Sequence, residues 1–435
     1  MLKFKWETEF KETEIGEIPR DWEIISISEG SFAIIMGQSP PSKYYNKEGR
    51  GMPFIQGRKD FGDLYITPTT YTEKCGKIAP PNSVLLTVRA PVGDVNITKD
   101  EVCIGRGLAA IYNVNGNPTL NRFIYYVLVG LKDYIAPLGE RGTTYEEIIK
   151  EDLENILIPY PPPPEQSRIA TVLSWFDNLI ENKKRQNEIL EKVAMAIFKS
   201  WFVDFEPFKD EEFVYNEELG KEIPKGWEVK PIGEVAEFYK GISYKGSEKF
   251  YSKTGSEKEL VFITLDNILR GGGFKINYTW IISERIKKHQ LLREGDLIIA
   301  NTDMTQEAKV IGSPAIVTFP IDYYKEYGVY SHHITKIIPH SEIYRLFLYV
   351  FLKLTQDENT TFSTGTNVLG LDIENFKKNK FVLLPPRDFL KKFHSLVEPL
   401  FQKIILNQKQ IMILRKIRDV LLPQLVFGKL RVEEV

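Results

Sequence analysis

The chain has 435 residues, long enough for two or more domains that each bury a core. It is 43% hydrophobic and 12% aromatic, which excludes a disordered chain, and its net charge of −2 excludes a polycation that grips nucleic acid by bulk charge alone, although local basic faces stay open. Cys75 and Cys103 stand in no C-x-x-C pair, so a reduced, cytoplasmic setting is the default, and neither a signal peptide nor an apolar run of about 18 residues is visible.

In chain order the sequence reads as two cycles. The first opens with Ile15-Gly16-Glu17-Ile18-Pro19-Arg20-Asp21-Trp22-Glu23 and the second with Leu219-Gly220-Lys221-Glu222-Ile223-Pro224-Lys225-Gly226-Trp227-Glu228. An I-P-x-x-W-E block occurring twice is the mark of a duplication. Short β-branched and aromatic runs follow, punctuated by Gly, Pro and Asn, and predict a mixed, mostly β lobe in each cycle. Gly37-Gln38-Ser39 matches Gly241-Ile242-Ser243, Phe54-Ile55-Gln56 matches Phe262-Ile263-Thr264, and Val84-Leu85-Leu86-Thr87 matches Leu297-Ile298-Ile299-Ala300. Gly142-Thr143 pairs with Gly365-Thr366, and the repeat offset grows from 205 at Trp22/Trp227 to 223 here, so the second lobe carries extra loop residues.

Each cycle then meets a proline-rich elbow, Ile158-Pro159-Tyr160-Pro161 and Leu384-Pro385-Pro386, before a long helical stretch. Gln166 to Phe202 has no Pro or Gly and repeats apolar residues at heptad spacing: Ile169, Phe176, Lys183, Leu190 and Ile197, flanked by Val172, Leu179, Gln186 and Val193, with Leu173, Ile180, Ala194 and Trp201 beside them. Phe393, Leu400, Asn407, Leu414 and Leu421 repeat that seam 224 residues later, flanked by Leu396, Val397, Ile404, Ile411, Ile417 and Leu425. Lys183 with Gln186 and Asn407 with Gln410 put a polar layer in the middle of both, a device that fixes register. Two seams in phase read as a coiled-coil pair within one chain. A helix over 168–202 would be on the order of 50 Å long at ~1.5 Å per residue, the dimension of a ruler. Pro399 is expected to kink the second helix.

Chemistry-bearing motifs are missing. There is no P-loop, no N-P-P-[YF] tetrapeptide of an amino methyltransferase (Ile158-Pro159-Tyr160-Pro161 has the wrong order), and no H-E-x-x-H or finger spacing among His289, His332, His333, His340 and His394. Gly271-Gly272-Gly273 opens no helix. The pattern favours a recognition module over an enzyme, with no metal and no catalytic residue assigned. A free-standing nucleic-acid methyltransferase and a coiled-coil scaffold without a DNA role are the alternatives.

The phrases IGEIPRDWE, KEIPKGWEV, EDLENILIPYPPPPEQSRIA, AIFKSWFVDFEPF and LLPQLVFGKLRV resemble the specificity subunit of type I restriction–modification enzymes, over nearly the whole chain. The second elbow, Pro386-Arg387-Asp388-Phe389, departs from that family's acidic-Gln phrase. The resemblance implies an α+β fold: target-recognition domains over 1–160 and 206–384, and conserved helices over 161–205 and 385–435 that form an antiparallel coiled coil. It implies a bipartite double-stranded DNA target whose unread spacer the helices set. It also implies two docked methyltransferase subunits that use S-adenosylmethionine, ATP-dependent restriction subunits able to join them, and no cofactor on this chain. Base reading needs Arg, Lys, Asn, Gln and Thr on loops. The candidates are Gln38, Ser39, Arg58, Lys59, Arg89, Arg106, Thr143 and Thr144 in the first lobe, and Lys245, Asn267, Arg270, Asn301, Thr302, Asp303, Gln306, Thr366 and Asn367 in the second, each weighed against an ordinary solvated side chain.

Overall fold

The computed structural model describes residues 2–141, 147–303, 310–365 and 368–434. Strand β1 (Leu2–Trp6) is followed by β2 (Phe32–Met36), β3 (Met52–Ile55), β4 (Val84–Thr87), β5 (Val102–Ile104) and β6 (Leu108–Asn113), then helix α1 (Pro118–Gly130) and the long helix α2 (Pro163–Phe202). A second series runs β7 (Ala236–Lys240), β8 (Leu260–Ile263), β9 (Leu297–Ala300), β10 (Gly328–Tyr330) and β11 (Ile334–Pro339), helix α3 (Arg345–Leu354), the long helix α4 (Arg387–Val426) and strand β12 (Leu430–Glu434). The chain divides into two compact units, 1–181 with 414–435 and 182–413, so each long helix contributes residues to both. The class is α+β with an internal repeat, as the sequence predicts.

In the first unit a four-stranded antiparallel sheet has the order Val95–Ile97, β4, β6, β2. Every residue of β4, Val-Leu-Leu-Thr, is buried, which is why a β-branched apolar run sits at a central position. A five-stranded sheet pairs β3 with β5 in parallel. Helix α1 starts at Asn117, whose side chain accepts from the Thr119 and Leu120 amides, with Pro118 at its first turn. Its Phe123, Val127 and Leu128 join Val84, Leu86 and Ile111 in the core. Ile169 and Leu173 of α2 and Leu422, Leu425 and Val426 of α4 belong to the same core, so the two helices pack antiparallel here. Strand β12 pairs antiparallel with β1.

The second unit repeats the plan. Its four-stranded sheet has the order β7, β11, β9, Pro314–Ile316, and β8 pairs with β10 in parallel. Here Phe198 and Phe202 of α2, Phe393 of α4 and Phe347 of α3 stack edge-on with ring centroids 5.0–6.1 Å apart. Asn407, fully buried, donates to Asn187 Oδ1 at 2.8 Å and Gln186 Oε1 at 3.3 Å across the helix pair.

The polar layer is therefore real on the Asn407 and Gln186 side, but its third member is Asn187 rather than Lys183. Leu179, Val193, Leu396 and Ile417, expected in the seam, are exposed, while Phe198 and Phe401, not assigned to it, are buried. Helix α4 runs as one element through Pro399, which is exposed. Cys75 and Cys103 form a disulfide, which corrects the expectation of free thiols; spacing in sequence says nothing about two strands' meeting in space.

Candidate nucleic-acid interface

Four pieces of the first unit converge at one place: the loop after β2, the single turn Arg58–Asp60 after β3, the end of β4, and the tight turn Gly105-Arg106-Gly107 between β5 and β6. The loop crosses under the turn through two backbone bonds, Gly37 N to Leu108 O at 2.9 Å and Gln38 N to Ile104 O at 2.9 Å. A Cβ on Gly37 would stand 2.1 Å from the Gly105 carbonyl oxygen, so only glycine permits the crossing. Val88 N to Gly107 O at 3.0 Å fixes β4's exit beside the turn.

The second unit builds the same crossing from other residues. Gly241 N reaches Ile334 O at 3.1 Å, Ile242 N reaches Tyr330 O at 2.8 Å, and Asn301 N reaches His333 O at 2.7 Å. A Cβ on Gly241 would meet the Ser331 carbonyl oxygen at 2.3 Å. The turns after β3 and β8 are held alike: Asp60 Oδ2 accepts from Gln56 N at 3.0 Å, and Asn267 Oδ1 from Thr264 N at 2.8 Å. These shared bonds set Arg58 against Leu265, Arg89 against Thr302, Arg106 against His332 and Gly107 against His333.

Ser39, Arg58, Arg89 and Arg106 line one cavity of about 310 Å³, with Gln56 and Thr87. Arg58 pairs with Asp94 at 2.9 Å. Arg89 forks onto Glu147 at 3.0 and 2.9 Å. Ser39 Oγ accepts from the Arg106 amide at 3.2 Å, while the exposed Arg106 guanidinium has no partner among the described residues. Gln38 and Lys59 are exposed at the rim, Lys59 Nζ donating to Gln56 Oε1 at 3.3 Å.

In the second unit Lys245 and Arg270 are exposed on separate loops. Asn267 does not face solvent: it is fully buried, and its amide also donates to the Lys275 and Asn277 carbonyls at 3.1 and 2.6 Å, so it shapes the turn. Asn301 and Asp303 are buried, and Thr302 Oγ1 lies 2.9 Å from His333 Nδ1. Thr143, Thr144, Gln306, Thr366 and Asn367 lie outside the described residues. His332 and His333 were not among the sequence candidates. Cys103-Ile104-Gly105-Arg106-Gly107-Leu108 and Val329-Tyr330-Ser331-His332-His333-Ile334 share no identical residue, so only the backbone bonds reveal the match. Among the described residues no cluster of His, Cys, Asp and Glu could hold a metal ion, and no helix is long and apolar enough to cross a membrane.

A repeated β-rich framework that keeps its crossing bonds and changes the side chains at its mouth defines a tandem recognition protein. The family model described as "Type I restriction modification DNA specificity domain" matches twice, over residues 19–192 and 224–414, and the chain belongs to that family. It is 40% identical to the type I restriction enzyme MjaIX specificity subunit of Methanocaldococcus jannaschii, over 100% of this chain and 99% of that one. It is 24% identical to the HindI specificity subunit of Haemophilus influenzae, over 73% of this chain and 79% of that one. The crystal structure of a type I restriction–modification S subunit from M. genitalium is similar at TM-score 0.49 and 19% identity, over 93% of this chain and 96% of that one.

Proposed function

We propose that this chain is the non-catalytic DNA-recognition subunit of a type I restriction–modification complex, each unit reading one half of a bipartite duplex target. The carrying observation is the duplicated crossing with unlike mouths: Arg58, Arg89 and Arg106 in one unit, Leu265, Thr302 and His332 at the matching places in the other. Two copies of one scaffold with different donors and acceptors read two different base sequences. Long-read mapping of N6-methyladenine in cells carrying this chain with its modification subunit should give two short motifs at a fixed gap. Scattered marks would oppose the reading, and methyl transfer by the purified chain alone would favour the free-standing enzyme.

Two methyltransferase subunits dock on the helices in this reading, and restriction subunits join them. S-adenosylmethionine and ATP belong to those partners. What supports docking is the apolar surface left on the helices: Trp175, Leu179, Ile417 and Val420 in the first unit, and Ile189, Val193, Leu396, Leu406 and Ile413 in the second, all exposed.

Basic side chains at the first mouth serve duplex phosphates or base edges. Arg58→Ala with Lys59→Ala should weaken duplex binding and lower the salt slope of log affinity by about 1. Unchanged affinity across a salt titration removes both from the interface.

The long helices, each 40 residues without a break, set the unread gap in this reading. Four residues added to each lengthen it by ~6 Å, about two base pairs at ~3.4 Å per step. The methylation map should keep both half-motifs and widen the gap between them. An unchanged gap would show that the helices do not measure it.

A further inference from the structure

We propose that the turn Ser331-His332-His333 is the specificity-determining element of the second unit, reading a base edge by neutral hydrogen bonds where the first unit uses the cation Arg106. The proposal rests on the DNA-recognition reading above and adds which residues discriminate bases and how.

Three observations carry it. The first is position: the backbone bonds that frame Arg106 in the first unit frame His332 in the second. His332 N donates to Ile242 O at 2.9 Å, where Arg106 N donates to Ser39 Oγ at 3.2 Å. Both turns stand at the junction of a parallel and an antiparallel strand, and both imidazoles are half-exposed there.

The second is the supply of unmet polar groups. Asn301 Oδ1, Ser331 Oγ, His332 Nδ1 and Thr335 Oγ1 are buried atoms without a hydrogen-bond partner among the described residues, and all four fall on this turn or on the strand ends framing it. Asn301 and Ser331 are 4% and 0% exposed. Buried polar groups are nearly always paired in a stable fold, and a cluster left unmet is a cluster prepared for a polar ligand.

The third is orientation and charge. The imidazoles of His332 and His333 lie with centroids 3.9 Å apart, and His333 Nδ1 is held by the Thr302 hydroxyl at 2.9 Å. Burial, then the neighbouring His332 and Lys240, push the His333 pKa down. A neutral imidazole with one nitrogen fixed presents the other as a single donor or acceptor, which suits one position on a major-groove base edge. A guanidinium in the same place adds counterion release to whatever it reads.

The experiment uses the chain with its modification subunits. N6-methyladenine motifs are mapped for the wild type, for His332→Ala with His333→Ala, and for the near-isosteric Thr302→Val. Duplex binding is titrated against salt for the same set and for Arg106→Ala. The expected result is a relaxed position in one half-motif for the histidine and threonine variants, the other half unchanged, with the salt slope unaltered. Arg106→Ala should relax the opposite half and reduce the slope by about 1. Thr302→Val guards against misfolding, since it removes only the hydroxyl that orients His333. Wild-type half-motifs in both the double variant and Thr302→Val would overturn the inference while leaving the bipartite reading intact. A salt slope that falls in the histidine variant would overturn the neutral mode. A wild type without a bipartite motif would remove the parent reading and this one with it.

Discussion

Asp177→Ala should cost the first unit about 3 kcal/mol, the low end of the range for breaking a buried ion pair, and lower its melting transition by roughly 6–12 °C. Asp177 lies on the long helix α2 and is 2% exposed. One carboxylate oxygen accepts from Arg418 Nη1 of α4 at 2.7 Å, and the other from the Tyr126 hydroxyl of α1 at 2.6 Å. Three helices of the unit therefore meet on a single side chain. Burial, then the Asp177 carboxylate itself, push the Tyr126 pKa up, so the phenol remains a donor at every relevant pH. Removing the carboxylate strands a buried hydroxyl and a mostly buried guanidinium. Arg418 keeps Asp419 at 2.8 Å and some exposure, which holds the cost at the low end. Asp177→Asn, which keeps an acceptor for Tyr126, should recover part of the loss. Replacing both Asp177 and Arg418 by apolar residues of similar size should recover more, because no charge is then stranded. Lys199→Ala, which breaks the exposed pair with Asp204, is the control, with an effect under about 1 kcal/mol. Thermal unfolding of the four variants measures the series, and equal losses for Asp177→Ala and the apolar double variant would refute the argument.

What the sequence made legible follows from how each signal is encoded. The duplication was visible because Trp22 and Trp227 anchor cores: they are 1% and 8% exposed, and each follows a proline that fixes the entry turn. The long helices were visible because Gly and Pro are absent over a length few globular helices reach. The seam was read less well because a strict heptad was laid on helices of 3.6 residues per turn. That template drifts by about 20° per heptad. Val172 is buried and Leu179, one heptad on, is exposed, whereas the buried line advances through Ile169, Leu173, Ile180, Ala194, Phe198 and Phe202 in steps nearer the true period. The reading sites divide similarly. Arginine on a loop is a strong prior for nucleic acid, and Ser39, Arg58, Arg89 and Arg106 do share one cavity. Asn267 misled because asparagine both reads bases and caps turns, and its three side-chain hydrogen bonds place it in the second role. His332 and His333 escaped because their meaning lies in a register match that no residue identity records.

Arg431→Met should have an effect of similar or larger size, about 3–5 kcal/mol, and should act first on the end of the chain. The guanidinium serves three carboxylates at once: Glu165 at 2.7 and 2.8 Å, Asp21 at 3.0 Å on both its oxygens, and Glu7 at 2.7 Å. It also lies 5.5 Å from the Trp22 ring centroid, and Trp22 Nε1 donates to Glu165 Oε2 at 3.3 Å. Glu165 is 3% exposed at the start of α2, so the loss of Arg431 leaves a buried charge with only the indole to compensate it, beside two more of the same sign. Because Arg431 stands on β12 and Glu7 just past β1, the pairing of those strands is expected to open before the unit melts. Hydrogen exchange at Phe4, Arg431 and Val432 and proteolysis of the C-terminal strand report that opening. Arg431→Lys keeps the charge but not the planar fork, and should fall between wild type and Arg431→Met. Acid supplies an independent check. The amides of Glu9 and Thr8, ahead of Arg431, hold the Glu7 pKa below its ordinary value of 4.5. Its stabilisation is therefore complete above that value and is lost as pH falls through the lowered pKa. Wild type and Arg431→Met should accordingly converge in stability on acidification, as the carboxylates that Arg431 neutralises become neutral by protonation. A gap between them that stays constant from pH 7 down to pH 3 would show that Arg431 acts through packing on Trp22 and not through charge.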